Sequence, residues 1–547
     1  MDCICAVGRQ PRTGGDPVAP IMDARVARVT FVIRSVHRGP DPVIDAEGSS
    51  RRRTTAPPSR GPPAILGGSS MFVRMLAAGL AAGLATSTGA VPGASGDEPA
   101  VSRTLVVGNG GSSDVASFVV GADGTPDATG ILEPTGGRDG SNSVVFAPDG
   151  DVAYVAYRDS GRVAAYAVGE NGELSLLAPP VPTGGSFTFG IAMTPDGRSL
   201  YVSNVGSDTI TVFDVAADGT LARRGNPVAT GFANPRGLVV SPDGHSLYVG
   251  HGIPLTEPTN VLVRFAIGTD GELRSRGVVA ETGGAATGMG ITPDGRFLYI
   301  ATISTDEVYG FRIRHDGRLT AVPGSPYAVA DHSEGIAISP DGRRLFVASP
   351  GQDRPDSGTG GVTAFHVRQN GRLRPLGEPV KAGLGPVGIT TSPDGRFLFV
   401  SNFDSSELSA YRVTSDGLVP TPGSPVRTGG RGPASQSLAI RPNQGPVAAL
   451  TATAGRAGTV TRFDATGGAD PDGTVARYDW DFGDGTRLAD GGPTPTHVYR
   501  TSGVHHARVT LTDNEGCSTT DVFTGQTFLC HGTAAARATH AVVVPRR

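Results

Sequence analysis

An all-β chain, in which a seven-bladed β-propeller is followed by a smaller β module, is what this sequence predicts, and three observations predict it. A Pro-Asp-Gly turn recurs at near-constant spacing through residues 101–442. An alternating apolar strand follows each turn. Glycine (80) and proline (43) abound while aromatic residues stop at 6% of the 547, a mixture suited to short strands joined by tight turns. With 18% charged residues and a formal net charge of -4, nothing points to nucleic acid or to an anionic membrane as a partner.

The turn prolines are Pro148, Pro195, Pro242, Pro293, Pro340 and Pro393, with Pro442-Asn443 a degenerate seventh, and the steps between them are 47, 47, 51, 47, 53 and 49 residues. Proline presets the turn dihedral and glycine accepts a positive φ, so each turn reverses the chain between the first and second strands of a four-stranded unit. Second strands can be counted independently: they begin at Leu105, Tyr154, Tyr201, Tyr248, Tyr299, Phe346 and Phe399, again seven. Repeated units of this length read as propeller blades. The chain enters at a second strand and leaves at a first strand, Ser437 to Ile440, so the last blade is expected to combine both chain ends and leave no open edge.

Runs such as Leu200-Tyr201-Val202-Ser203-Asn204 and Leu398-Phe399-Val400-Ser401-Asn402, each downstream of a Ser/Thr-Pro-Asp-Gly turn, resemble the YVTN-repeat and lactonase-type β-propeller family over residues 101–442. The Trp-Asp pairs of WD40 repeats are lacking, Trp480 lying outside the repeat region.

Beyond Pro446 the period stops. Phe463-Asp464-Ala465, Asp470-Pro471-Asp472-Gly473, Tyr478-Asp479-Trp480-Asp481-Phe482-Gly483-Asp484-Gly485, His497-Val498-Tyr499 and Asp513-Asn514-Glu515-Gly516 are similar to the PKD domain signature across residues 446–545. The resemblance implies an immunoglobulin-like β-sandwich. Trp480 and Phe482, two apart, share one strand face and are expected in its core, with Asp481 outside. Asp470, Asp472, Asp481 and Asp484 read either as a calcium cluster or as turn and solvent-facing acids. Their spacing is not that of an EF-hand loop, and neither a metal nor a cofactor is expected.

Residues 1–70 carry Arg51-Arg52-Arg53, scattered Pro and Gly and no sustained apolar period, and are expected not to fold. From Met71, a cation (Arg74), an apolar run from Met75 to Ala85 and small residues through Ala90 and Ala94 give residues 71–94 the three-part form of a secretory signal peptide. The alternative is a membrane anchor, but the run is shorter than the ~20 residues that span a bilayer. A signal belongs at an N-terminus, so residues 1–70 are expected to reflect an over-extended gene start. The mature protein is then expected to be secreted, extracellular, unanchored and monomeric. Cys517 and Cys530 remain as its one cysteine pair, either a disulfide, which an oxidising destination favours, or two thiols.

Propellers meet ligands at one end of the central channel. The residue six before each turn proline enters the first strand there, and these are Asn142, Phe189, Arg236, Thr287, Glu334, Val387 and Gln436. Second strands finish on the same face at Asn109, Tyr157, Asn204, His251 and Asn402, and the loops 253–260 and 351–361 overhang it. Binding candidates are Asn142, Asn204, His251, Asn402 and Gln436. Arg236, His251, His332 and Glu334 bring acid, base and cation to one mouth. A lactone hydrolase needs a base to activate water and a cation for the oxyanion, roles open to Glu334 or His332 and to Arg236.

The family resemblance implies a histidine five residues before a turn proline; here those positions hold Ser143, Gly190, Gly237, Gly288, Gly335, Gly388 and Ser437. Pro235-Arg236-Gly237 keeps proline and arginine without the imidazole, and the alternative for the charged mouth is a solvated rim. No HExxH, paired CxxC, Walker loop or Gly-x-Ser-x-Gly elbow occurs. The leading expectation is a platform binding an extracellular polysaccharide, protein or small ligand. The other is a lactonase-type hydrolase, similar to 6-phosphogluconolactonases, opening a sugar or carboxylated lactone, so enzymatic activity stays open.

Overall fold

Each Pro-Asp-Gly turn is built alike. In the second, Gly197 sits at φ +69°, its N–H donates to Thr194 O at 2.9 Å, and Asp196 Oδ1 accepts from the Arg198 N–H at 3.1 Å. Proline sets the entry dihedral and the glycine takes a left-handed one. The turn joins the first two strands of an antiparallel sheet of Thr188–Met193, Ser199–Asn204, Thr209–Val215 and Leu221–Arg223.

The computed structural model describes residues 102–132, 139–252, 260–303, 305–351 and 360–546. The expected unfolded segment and signal peptide, residues 1–94, lie outside the described residues, as do most of the two overhanging loops. Seven such sheets follow one another, with inner strands Ser141–Phe146, Thr188–Met193, Pro235–Val240, Ala285–Ile291, Gly335–Ile338, Pro386–Thr391 and Pro433–Ile440, here blades 1 to 7. Among the described residues no helix is long and apolar enough to cross a membrane.

Blade 7 unites the two ends of the ring. Its inner strand pairs antiparallel with Arg103–Asn109, in the register Leu105↔Ile440, Val106↔Ala439 and Val107↔Leu438, and Asp114–Val120 and Pro126–Leu132 complete the sheet. The inner strand begins at Pro433, four residues before the predicted Ser437, and these extra residues reach across the channel.

Four pairs of neighbouring blades are bolted by a tyrosine of the second strand. Tyr154, Tyr201, Tyr248 and Tyr299 are fully buried, and their hydroxyls donate to the carbonyls of Gly219, Gly271, Gly317 and Gly371 at 3.0, 3.0, 2.9 and 2.6 Å. Each acceptor lies in the turn between the third and fourth strands of the next blade. Without it the buried hydroxyl would cost about 1–3 kcal/mol.

The C-terminal module packs one sheet of Thr451–Thr453, Val460–Asp464 and Thr496–Val498 against another of Val475–Asp481, Arg487–Leu488, Gly503–Asp513 and Arg537–Val544. Phe463, Trp480, Phe482, Tyr499, Val509, Leu511 and Val544 fill the space between. Trp480 Nε1–H donates to Gly492 O at 3.0 Å, so its one polar atom is satisfied. The four acids weighed as a calcium cluster do not all converge: Asp470 lies beside Asp472, which pairs with Arg103, while Asp481 pairs with Arg487 at 3.2 Å and Asp484 with His497 at 2.7 Å.

A disulfide joins Cys517 and Cys530 across the base of a hairpin made of Val522–Phe523 and Phe528–His531. This hairpin joins neither sandwich sheet. It pairs instead with Asn443–Gln444, the strand leaving the propeller, in the parallel register Asn443↔Cys530.

Candidate functional site

The inner strands start at the channel mouth opposite the Pro-Asp-Gly turns, so the residues six before each turn proline ring that mouth. Three facts define its chemistry. The Arg236 guanidinium lies over the Phe189 ring at 5.2 Å, a cation–π contact that holds the arm against the wall. Glu334 accepts a hydrogen bond from the Ser435 hydroxyl at 2.7 Å, reaching from blade 7 to blade 5. His332 stands in the left-handed region at φ +57°, held there because its backbone N–H donates to Asp306 Oδ1 at 2.7 Å.

The electrostatics follow from placement. Burial raises the proton affinity of the Glu334 carboxyl above the ordinary carboxylate value, while the Ser435 hydrogen bond and the charges of Arg236 and His332 act in the other direction. Burial also lowers the Arg236 pKa, and the charge of Glu334 counters it. The two side chains feel each other without forming an ion pair, and Arg236 Nε has no hydrogen-bond partner among the described residues. An acid and a cation within electrostatic reach of each other can act together on a polar ligand that meets both.

Hydroxyls and amides lock the backbone of this ring. Ser203 donates to Arg236 O at 3.0 Å, Thr287 to Glu334 O at 3.3 Å, and Asn142 Nδ2 to Phe189 O at 2.9 Å. Gln436 Nε2 spans the channel from blade 7 to Thr287 O of blade 4 at 2.9 Å.

Of the predicted site residues, the structure brings Arg236, His332 and Glu334 to one mouth and commits most of the others to the scaffold. Asn142 and Gln436 bridge blades as described. Asn204 Nδ2 donates to Thr209 Oγ1 at 3.1 Å and Thr211 Oγ1 at 2.9 Å, and Asn402 Nδ2 to Glu407 O at 3.1 Å and Ser409 Oγ at 3.0 Å. His251 is fully buried with its ring edge to Phe232, and burial pulls its pKa down to about 4. It is therefore neutral near pH 7. Ser435 was not singled out from sequence, although Pro433-Ala434-Ser435-Gln436 precedes the degenerate seventh turn much as Pro235-Arg236 precedes the third.

The glycines at the expected histidine positions have a steric cause. A Cβ added at Gly190, Gly237, Gly288 or Gly335 would lie 2.3, 2.5, 2.1 or 2.2 Å from the carbonyl oxygen of Arg236, Thr287, Glu334 or Val387 in the next blade. The inner strands converge too closely there for any side chain, and no imidazole fits at 237.

A family model described as lactonase, 7-bladed beta-propeller, matches residues 100–253 and 323–442, half of the chain, and a PKD domain model matches residues 443–526. Among solved structures the chain is similar to the periplasmic gluconolactonase of Pseudomonas aeruginosa, with TM-score 0.52 and 23% identity over 62% of this chain and 99% of that one. It is similar as well to a candidate 6-phosphogluconolactonase of Bacteroides uniformis, with TM-score 0.52 and 22% identity over 62% and 99%. A protein from Lactobacillus plantarum gives 0.51 and 18% over 62% and 99%. At these identities the likeness is one of fold.

Among curated proteins, collagenase ColA of Clostridium perfringens is 41% identical over 54 residues and the microbial collagenase of Vibrio alginolyticus 34% over 83, which is 10% and 15% of this chain. The chain spans only 5% and 10% of those collagenases' own lengths.

Proposed function

Because the chain belongs to the lactonase family of seven-bladed β-propellers and carries a PKD domain, we propose that its channel mouth hydrolyses the ester bond of a polar lactone, of a sugar acid or another carboxylated ring. The observation that supports this most is the Glu334 carboxyl, raised in proton affinity by burial, held by Ser435 and within electrostatic reach of Arg236.

Glu334 takes a proton from water while the water oxygen bonds to the lactone carbonyl carbon. Arg236 balances the charge that develops on the carbonyl oxygen. The ring C–O bond then breaks, Glu334 returns its proton to the departing alkoxide, and the product is an open hydroxy acid. One water is consumed, and the new acid releases a proton to solution. The protein acts outside the cytoplasm in this proposal, as the form of residues 71–94 suggests.

A second reading, a platform that binds a polysaccharide, protein or small ligand without turnover, is favoured by the glycine collar, because Gly237 stands where the family resemblance leads to histidine. One experiment separates the two. Proton release by the full chain is followed by pH-stat with glucono-δ-lactone, 6-phosphogluconolactone and a carboxylated γ-lactone, beside Glu334→Gln and Arg236→Ala. Turnover that falls about 100-fold or more in both variants supports hydrolysis. No turnover on any of the three removes the hydrolytic proposal and leaves the binding one.

A further inference from the structure

The hairpin of the C-terminal module lies inside the propeller's channel. Phe523 and Phe528, stacked at 4.4 Å, are buried in the cluster of Leu238, Val240 and Leu247 of blade 3. Leu529 is buried on the other side, with Leu105, Phe399, Leu438 and Ile440 of blades 6 and 7. One short hairpin thus touches blades on opposite sides of the ring, which is possible only along the axis.

Its backbone satisfies groups that a propeller ordinarily leaves open. Inner strands pair on one edge with the second strand of their own blade and face the channel with the other. Here the Val240 N–H donates to Gly525 O at 3.0 Å and the Ile291 N–H to Thr524 O at 2.8 Å. Buried N–H groups need partners, so the hairpin replaces channel water at blades 3 and 4. Gly525 makes this approach possible: it sits at φ +98°, and a Cβ there would lie 3.0 Å from Val239 Cβ.

At the tip, Gln526 Nε2 donates to Gln436 Oε1 at 3.4 Å, and Gln436 is the side chain that spans the channel to Thr287. Between the tip and this strut remains a cavity of about 40 Å³, lined by Gln526, Thr527, Ser435 and Gln436 among others, close to the volume of one water molecule.

We propose that this hairpin is an intramolecular plug that turns the open channel into a blind cup, and that Gln526, by propping Gln436, is a positioning residue for the back wall of the mouth site. The PKD module is then part of the site rather than a spacer beside it. The plug stands independently of the hydrolytic reading. The role of Gln526 rests on the mouth being a site for a sugar acid or its lactone.

Amide hydrogen exchange on the full chain tests the plug. In the wild type the Val240 and Ile291 amides are expected to exchange as slowly as the ladder amides inside their blades. In Gly525→Val, which cannot hold that φ and collides with Val239, those two amides are expected to exchange at least about 100-fold faster while the ladder amides keep their protection. Rapid exchange at both positions in the wild type overturns the plug, and so does unchanged protection in the variant. Should Gly525→Val lose ladder protection throughout, the wild-type measurement decides alone.

Calorimetric titration with gluconate, the open acid, tests the back wall without requiring turnover. Gln526→Ala is expected to weaken gluconate binding about fivefold, the loss of one neutral hydrogen bond, while the exchange rates of Val240 and Ile291 stay as in the wild type. Unchanged affinity, or no gluconate binding by the wild type, overturns the role of Gln526. Absence of lactone turnover beside intact, Gln526-dependent gluconate binding overturns hydrolysis and supports the back wall.

Discussion

Arg103 Nη2 donates to the side-chain oxygen of Asn443 at 2.7 Å, so the residue that opens the incoming strand of the ring is tied to the residue just past its outgoing strand. The C-terminal module grips both partners. Asp472 and Glu515 accept from the same guanidinium, and Asp513 Oδ2 accepts from Asn443 Nδ2 at 3.1 Å. Pairing within blade 7 closes the propeller once, and this clamp closes it a second time.

Removing the cation should therefore cost much of the stability. Arg103 is only 5% exposed and Glu515 8%, and Arg103→Ala strands both acids without a counter-charge, a loss expected at about 3–5 kcal/mol. Arg103→Lys is expected to recover part of it. Chemical denaturation of the two variants beside the wild type measures both.

The same pocket predicts a pH dependence. Burial, and then the charges of Asp513 and Asp472, push Asp470 up to about 7, and burial takes Asp513 to about 6. The Arg103 charge and the Asp472 backbone N–H act on Asp470 in the other direction without offsetting the burial. An acid whose folded pKa exceeds its unfolded value of roughly 3.9 stabilises the fold fully below that value and loses the contribution as pH rises through the folded pKa. Between pH 4 and 7 the wild type should accordingly lose stability relative to Asp470→Asn, and at pH 8 the variant should melt about 2 °C higher. Thermal melts across pH 4–8 read the difference.

If Glu334 is the base, kcat/KM should rise with pH through an inflection above the ordinary carboxylate value, falling about tenfold per pH unit below it. The Ser435 hydroxyl favours the ionised carboxylate, so Ser435→Ala should move the inflection upward while leaving the melting midpoint close to that of the wild type. A pH–rate profile with an unmoved inflection would remove Glu334 from the role of base.

Restoring the histidine suggested by the family resemblance should fail. Gly237→His places a Cβ 2.5 Å from Thr287 O and 2.9 Å from Met289 Sδ, and overpacking of this kind is expected to cost about 3 kcal/mol. Urea denaturation checks it, and a gain in lactone turnover by this variant would contradict the steric account of the glycine collar.

The blades were legible because each repeats one local device. The Pro-Asp-Gly turn and the aromatic six residues after its proline carry their meaning within a short window, and the tyrosine hydroxyls then find the next blade by symmetry. Arg236 and Glu334 were found by the same logic, at equivalent offsets from equivalent turns, and His332 as a neighbour of Glu334. Blade 7 broke the logic: its turn is degenerate and its inner strand starts four residues early, which hid Ser435. Asn142, Asn204 and Asn402 were placed at the correct end of their strands, but whether an amide faces a ligand or a neighbouring hydroxyl depends on its rotamer, which no pattern encodes. The hairpin was beyond reach for another reason. Phe523, Phe528 and Leu529 look like one more sandwich strand, and their partners, Val240 among them, lie nearly 300 residues earlier.

Stoppering the axis has a consequence for traffic. A vessel with a single doorway must empty before it refills, so whatever leaves competes with whatever arrives, and long polymers cannot be threaded through and processed along their length. Small, detached molecules visiting one at a time are the guests such an architecture suits.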